Sequence, residues 1–253
     1  MGLFDLPAPL FSAVDHLFGL VLPAFLRLTL WGIFAGWLTM LAYRKISNQK
    51  KICSLKAEQK IRQKEIAGFD GEFEELMPLI SSTLGLGFRQ LGLAIGPALL
   101  ATIPVLFIVV WVSGQFGYLA PERGSKVRIH SEPAGIEVQW LPGDQSRPDG
   151  DGWLVDWPAP ENPLSLQRDG NTLLTLPTSR DVPIIHKKKW WNILIGNPIG
   201  YVPEDAPLQA IHIGLQPQQI IDFGPAWTQG WMFTFFLSFL LASLAFKFLL
   251  KID

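Results

Sequence analysis

The sequence predicts an α-helical membrane protein with three transmembrane helices, a cytosolic helical hairpin between the first two, and an extracytosolic β-sandwich-like domain inserted between the second and third spans. Three observations predict it. Of 253 residues, 49% are hydrophobic and only 17% charged, with ten Trp and seventeen Phe, which is lean in charge for a chain dissolved by water. Three stretches are apolar over the roughly 20 residues that a helix needs to cross about 30 Å of hydrocarbon, where no water satisfies backbone groups. Lysine and arginine crowd the segment after the first stretch and recur after the third, whereas the long segment between the second and third has more acid than base. The formal net charge of −1 gives no global basic field, so DNA is not an expected partner.

Residues 1–43 hold an N-terminal segment and the first span. The opening Met1-Gly2-Leu3-Phe4-Asp5 lacks the positive start of a cleavable signal peptide, so the segment is expected to be retained, lying along the outer interface or packing on the core. The first span runs over residues 23–43, with Arg27 near its start and Trp31, Trp37 and Tyr43 as interfacial aromatics. Residues 44–90 form the hairpin. Its first arm, to residue 67, is rich in helix formers and carries Lys50, Lys51, Lys56, Lys60, Arg62 and Lys64. Gly68 and Gly71 break it, Asp70 is the expected N-cap of the second arm, and Glu72, Glu74 and Glu75 suit that arm's positive end. Pro78 and the glycines at 85 and 87 are expected to keep the second arm short or kinked.

The second span covers residues 91–118 and contains Pro97 and Pro104, which should bend it. Residues 119–226 change character, with frequent Pro and Gly between short alternating runs. Runs at 127–130 and 136–140, joined by Pro133-Ala134-Gly135, read as paired strands, and those at 164–168 and 171–176 flank the hairpin dipeptide Asp169-Gly170. The phrase from Ser131 to Val138 resembles the hairpin of PEGA-type sandwich modules. Residues 227–253 supply the third span, anchored by Trp227 and Trp231 at one end and Lys247 and Lys251 at the other, and a short tail. The basic first loop and tail place the N-terminus outside and the C-terminus in the cytosol.

Chemistry-bearing motifs are few. Cys53 is the only cysteine, which excludes a disulfide framework. His16, His130, His186 and His212 show no metal-ligand spacing and read as surface or strand residues, so neither metal nor cofactor is expected. Gly85-Leu86-Gly87 lacks the rest of a nucleotide loop and reads as helix termination, and no nucleophile elbow or triad pattern is present, so the chain is not expected to be an enzyme. Arg27 lies 16 residues before Tyr43, about 24 Å along a helix, near the outer face, where it either snorkels to the interface or serves a hydrophilic cavity. Arg89 and Gln90 stand at the cytosolic mouth of the second span, and Thr39, Thr102, Thr228 and Gln229 offer polar groups along the spans, for helix packing or for a polar groove. Lys187-Lys188-Lys189-Trp190-Trp191 suits the outer headgroup layer, or equally a strand edge guarded by lysines.

Three passages resemble the Oxa/YidC insertase superfamily, in particular the archaeal YidC-like proteins and the insertase subunit of the ER membrane protein complex. Lys56-Ala57-Glu58-Gln59-Lys60-Ile61-Arg62-Gln63-Lys64-Glu65-Ile66 is similar to their charged hairpin arm, Gly96-Pro97-Ala98-Leu99-Leu100-Ala101-Thr102-Ile103-Pro104-Val105-Leu106-Phe107 to their proline-containing second helix, and Gly224-Pro225-Ala226-Trp227-Thr228-Gln229-Gly230-Trp231-Met232-Phe233 to the aromatic entry of their last core helix. The resemblance implies an insertase or membrane chaperone of a bacterial-type inner membrane. Its groove would shelter a client's polar flank, with Arg27, Thr39, Arg89, Gln90, Thr102, Thr228 and Gln229 as candidate groove residues. The basic hairpin would meet nascent clients or the ribosome, and the outer domain an envelope partner or another subunit. A structural or assembly subunit of a larger membrane complex is the alternative.

Overall fold

Six α-helices and eight strands are formed among the residues that the computed structural model describes, 2–168 and 170–252. The helices are α1 (Ala8–Gly19), α2 (Ala24–Ile46), α3 (Gln49–Ala67), α4 (Phe73–Phe116), α5 (Ala226–Gln229) and α6 (Trp231–Leu249). Three of them, α2, α4 and α6, are long and apolar enough to cross a membrane. Part of their outward surface is apolar too: Leu99, Leu100, Leu240, Leu241 and Phe248 are more than half exposed, an arrangement that water penalises and hydrocarbon does not. Two compact units divide the chain, one holding everything up to Arg27 together with Val109–Thr234, the other Leu28–Ile108 together with Phe235 onward.

In the second unit a small-residue seam joins α2 to α6. A Cβ on Gly32 would stand 1.9 Å from the Ser238 hydroxyl, and one on Gly36 would stand 2.9 Å from the Phe239 carbonyl, so only glycine allows the backbones this approach. Ser47 and Asn48 separate α2 from α3, so α2 runs to Ile46, past the expected end of the first span at residue 43, and the first arm begins at Gln49; the Asn48 side chain accepts from the Lys51 amide at 3.1 Å and starts α3. Gly68 ends α3 as expected, its amide donating to the Lys64 carbonyl.

The expected boundary at residue 90 does not exist as a break in the chain. Helix α4 runs through Pro78, the glycines at 85 and 87, Pro97 and Pro104 for 44 residues, so neither the prolines nor the glycine pair terminates it. At about 1.5 Å per residue it is roughly 66 Å long, twice a hydrocarbon core. It starts at Phe73, so Asp70 is too early to cap it, while Glu74 and Glu75 occupy its first turn as expected. Its first half lies beside α3: a Cβ on Gly87 would be 3.5 Å from the Gln59 amide nitrogen.

Between α4 and α6 lies an antiparallel sandwich. One sheet has the order β3-β4-β1-β8-β7 and the other β2-β5-β6, with β1 (Lys126–Glu132), β2 (Gln139–Leu141), β3 (Ser146–Asp149), β4 (Gly152–Asp156), β5 (Leu164–Arg168), β6 (Asn171–Leu176), β7 (Ile184–His186) and β8 (Ala210–Ile213). Alternation places Val127, Ile129, Leu164, Leu166, Leu176 and Ile211 in one shared core. The β5–β6 hairpin forms as expected, with Gly170 at φ +80° next to Asp169, which lies outside the described residues. The expected pairing of residues 127–130 with 136–140 does not form, and the PEGA-like phrase is not a hairpin. Both edges of β1 are taken, by β4 and by β8, and the chain crosses after Glu132 so that β2 pairs with β5 in the other sheet. Ile136 and Val138 pack on the core between them; alternation places a side chain on a face but does not name the partner strand.

Candidate functional site

Arg27, in the first turn of α2, and Asp15 of α1 are the two charged side chains from which the candidate site is built. Helix α1 is turned inside out. Its outward face carries Leu10, Leu17 and, just beyond its end, Leu20, all exposed, while its inward face carries Phe11, Ser12 and the buried Asp15. Trp111 of α4 donates its indole N–H to the Ser12 hydroxyl at 2.9 Å and meets Phe11 edge-on at 5.8 Å, which fixes the rotation of α1. That rotation delivers Asp15 to Arg27, with Oδ2 2.9 Å from Nη2 and side-chain exposures of 3% and 19%. The guanidinium also lies 5.1 Å from the centre of the Phe116 ring, a cation–π contact of about 0.5–2 kcal/mol. Gly19 leaves room for it, since a Cβ there would be 2.7 Å from Nη1. Its Nε is buried without a hydrogen-bond partner among the described residues.

The pair borders a cavity of about 570 Å³ lined also by Ser12, Ala13, His16, Gly19, Leu20, Gln115 and Arg180. Arg180 faces a neighbouring cavity of about 480 Å³ as well, with Asp181, whose carboxyl is pushed above its ordinary value by burial and pulled back in part by the Arg180 charge. The segment before α1 is pinned to the sandwich loop after β7: the Phe4 amide donates to the Leu194 carbonyl at 2.8 Å, and the Gly2 and Gly196 amides both donate to Asp5 Oδ2, at 2.7 and 2.9 Å. The N-terminal segment thus packs on its own unit with one face and leaves an apolar face outward.

Of the candidate groove residues, Arg27 alone lines this cavity. Thr39 is buried and returns its hydroxyl to the Ala35 carbonyl at 2.8 Å, and Thr102 donates to the Leu99 carbonyl at 2.7 Å, as residues that satisfy themselves within a helix do. Arg89 is exposed and Gln90 half-buried on α4. Thr228 and Gln229 stitch the turn before α6, donating to the carbonyls of Pro225 (2.8 Å) and Gly224 (3.0 Å). On α3, Lys50, Lys51, Lys60 and Lys64 are exposed, Lys56 and Arg62 half-buried, and Arg62 pairs with Glu65 at 3.1 Å. The basic-aromatic cluster is not a strand edge: β7 stops at His186 and residues Trp190–Ile193 form a 3-10 turn. Lys187 donates to the Glu204 carbonyl, Lys188 and Lys189 are exposed, Trp190 is 81% exposed, and Trp191 packs on His186 at 5.0 Å.

Sequence reasoning missed three features. An acid at position 15, within an apolar stretch and twelve residues before Arg27, is the signal for the ion pair. The spacing Gly32-x-x-x-Gly36 is the signal for the α2–α6 seam. The third has no sequence signal: strand register stacks His130 on His212 at 4.6 Å, with His212 Nε2 3.4 Å from Glu132, so two histidines 82 positions apart are neighbours. Among the described residues, no three metal-ligating side chains converge into a metal site. In comparison with known proteins, the chain matches no family model, no curated protein and no solved structure.

Proposed function

We propose that this chain is a multi-pass inner-membrane protein that works as a YidC-like insertase or membrane chaperone, without enzymatic chemistry. The observation that carries the proposal is Arg27: a guanidinium in the first turn of an apolar helix, bordering a cavity of about 570 Å³ that Asp15, His16, Gln115 and Arg180 also line. Charge at such a position is costly unless a counter-charge and polar space accompany it, and Asp15 and the cavity supply both. Polar groups cost several kcal/mol each to move through hydrocarbon, so a client's polar flank crosses more readily where such a cavity receives it. The cationic arm α3, on the cytosolic side, gathers nascent clients or the ribosome through Lys50, Lys51, Lys60 and Lys64. The sandwich, on the outer side, meets an envelope partner or another subunit of a membrane complex.

The test is photo-crosslinking from Gln115, which lines the cavity, and from Gln90 to ribosome-bound nascent membrane proteins, together with depletion of the chain. Crosslinks to clients with short translocated tails, and their failure to insert on depletion, are expected. Crosslinks absent at both positions with insertion unchanged would sink the proposal. A scaffold subunit is the second reading, favoured by the closed glycine seam between α2 and α6. It predicts loss of one assembled complex on depletion while insertion continues.

A further inference from the structure

The cavity beside Arg27 has a positive wall that the Asp15 pair does not neutralise. Two guanidinium groups, of Arg27 and Arg180, line it with one carboxylate, Asp15, and His16 adds ring nitrogens, while Asp181, which feels the Arg180 charge, lines the neighbouring cavity. The carboxylate is withdrawn, since Asp15 is 2% exposed, whereas Arg180 and His16 are exposed. Guanidinium forks match the oxygens of phosphates and carboxylates in geometry and charge, so the group such a wall receives is an oxyanion. A second, independent observation concerns the rim. Leu20 lines the cavity and continues the exposed apolar face of α1 through Leu17 and Leu10. A soluble anion has no use for an apolar approach; acyl chains do.

We propose that this cavity binds a phosphate-bearing anion, held by Arg180 and His16 beside the Arg27 charge, and that the apolar rim selects a phospholipid headgroup over free phosphate. Binding follows from the wall and the rim alone and holds equally for an insertase and for a scaffold.

The experiment is native mass spectrometry of the full chain in detergent, with phosphatidylglycerol, with diacylglycerol, which has the same chains but no phosphate, and with phosphatidylglycerol in the presence of millimolar inorganic phosphate. Wild type is expected to retain phosphatidylglycerol and shed diacylglycerol. Arg180→Gln, at an exposed position that folding tolerates, should weaken phosphatidylglycerol retention about tenfold or more through the lost charge-assisted bonds, and His16→Gln by less. Displacement by inorganic phosphate assigns the site to a soluble phosphate; persistence against it assigns the site to the lipid. Equal retention of diacylglycerol and phosphatidylglycerol, or retention unchanged in Arg180→Gln and His16→Gln alike, overturns the proposal.

Discussion

Replacing Asp15 by Leu leaves the Arg27 guanidinium largely buried with no counter-charge, its Nε already lacking a partner among the described residues. Breaking a buried ion pair from one side costs about 3–5 kcal/mol. The lower figure, about 3 kcal/mol, applies here, because Arg27 keeps 19% exposure, an adjoining cavity and the Phe116 face. For a chain of this size that is a fall of roughly 6–12 °C in melting temperature. Removing both charges together, in Asp15→Leu with Arg27→Met, should restore most of the loss, since apolar groups of similar volume replace buried pairs at little cost. Thermal unfolding of the four proteins of this cycle, purified in one detergent, gives the coupling energy, expected at about 2 kcal/mol or more. A coupling under about 0.5 kcal/mol is that of an exposed surface pair and would refute the burial of this one.

The other predictions are narrower. Gly32→Ala and Gly85→Ala are one chemical change with opposite outcomes: the first drives a methyl into Ser238 and the Phe235 carbonyl and should cost about 1–3 kcal/mol, while the second meets nothing within 4 Å and should stabilise α4 by about 0.5–1 kcal/mol. Two variants that melt alike would remove the seam from the account. Burial raises the Asp181 carboxyl above 3.8 in the folded chain, so the fold binds the proton more tightly than the unfolded chain, and stability falls as pH rises from about 3.8 through the folded value. Asp181→Asn should flatten that part of the melting profile and melt higher at neutral pH; an unaltered slope counts against it. Cys53, exposed on α3, should react with an impermeant maleimide only after the membrane is opened, whereas a cysteine at Trp190 in a Cys53→Ser background should react in intact spheroplasts; the reverse pattern would invert the topology.

The coarse fold was legible because its signals are compositional. Twenty apolar residues in a row specify a helix in hydrocarbon whatever their order, and alternation specifies a strand face, so the three long helices and the sandwich followed from the sequence. The misses share a cause: each depended on a partner distant in the chain. Residue 90 reads as a boundary because polarity changes there, yet polarity does not interrupt hydrogen bonding, and α4 continues through it and through three prolines. The strand after Pro133-Ala134-Gly135 reads as the mate of the strand before it, because local turns usually reverse a chain onto itself, but β1 is already flanked by β4 and β8.

The site was half legible for a related reason. Arg27 stood out because a charge in an apolar run has to be explained, but the explanation lies in Asp15, and Asp15 became decisive only through the rotation of α1. In water an amphipathic helix buries its leucines and shows its acid; α1 does the opposite, burying Asp15 and showing Leu10 and Leu17. Such an inversion suits an apolar solvent, where a leucine outward is no loss while an acid inward needs a base. The orientation of α1, the pairing of Arg27 and the apolar rim of the cavity are therefore one physical fact, and the surroundings of the helix, which sequence periodicity alone does not encode, decide its sign.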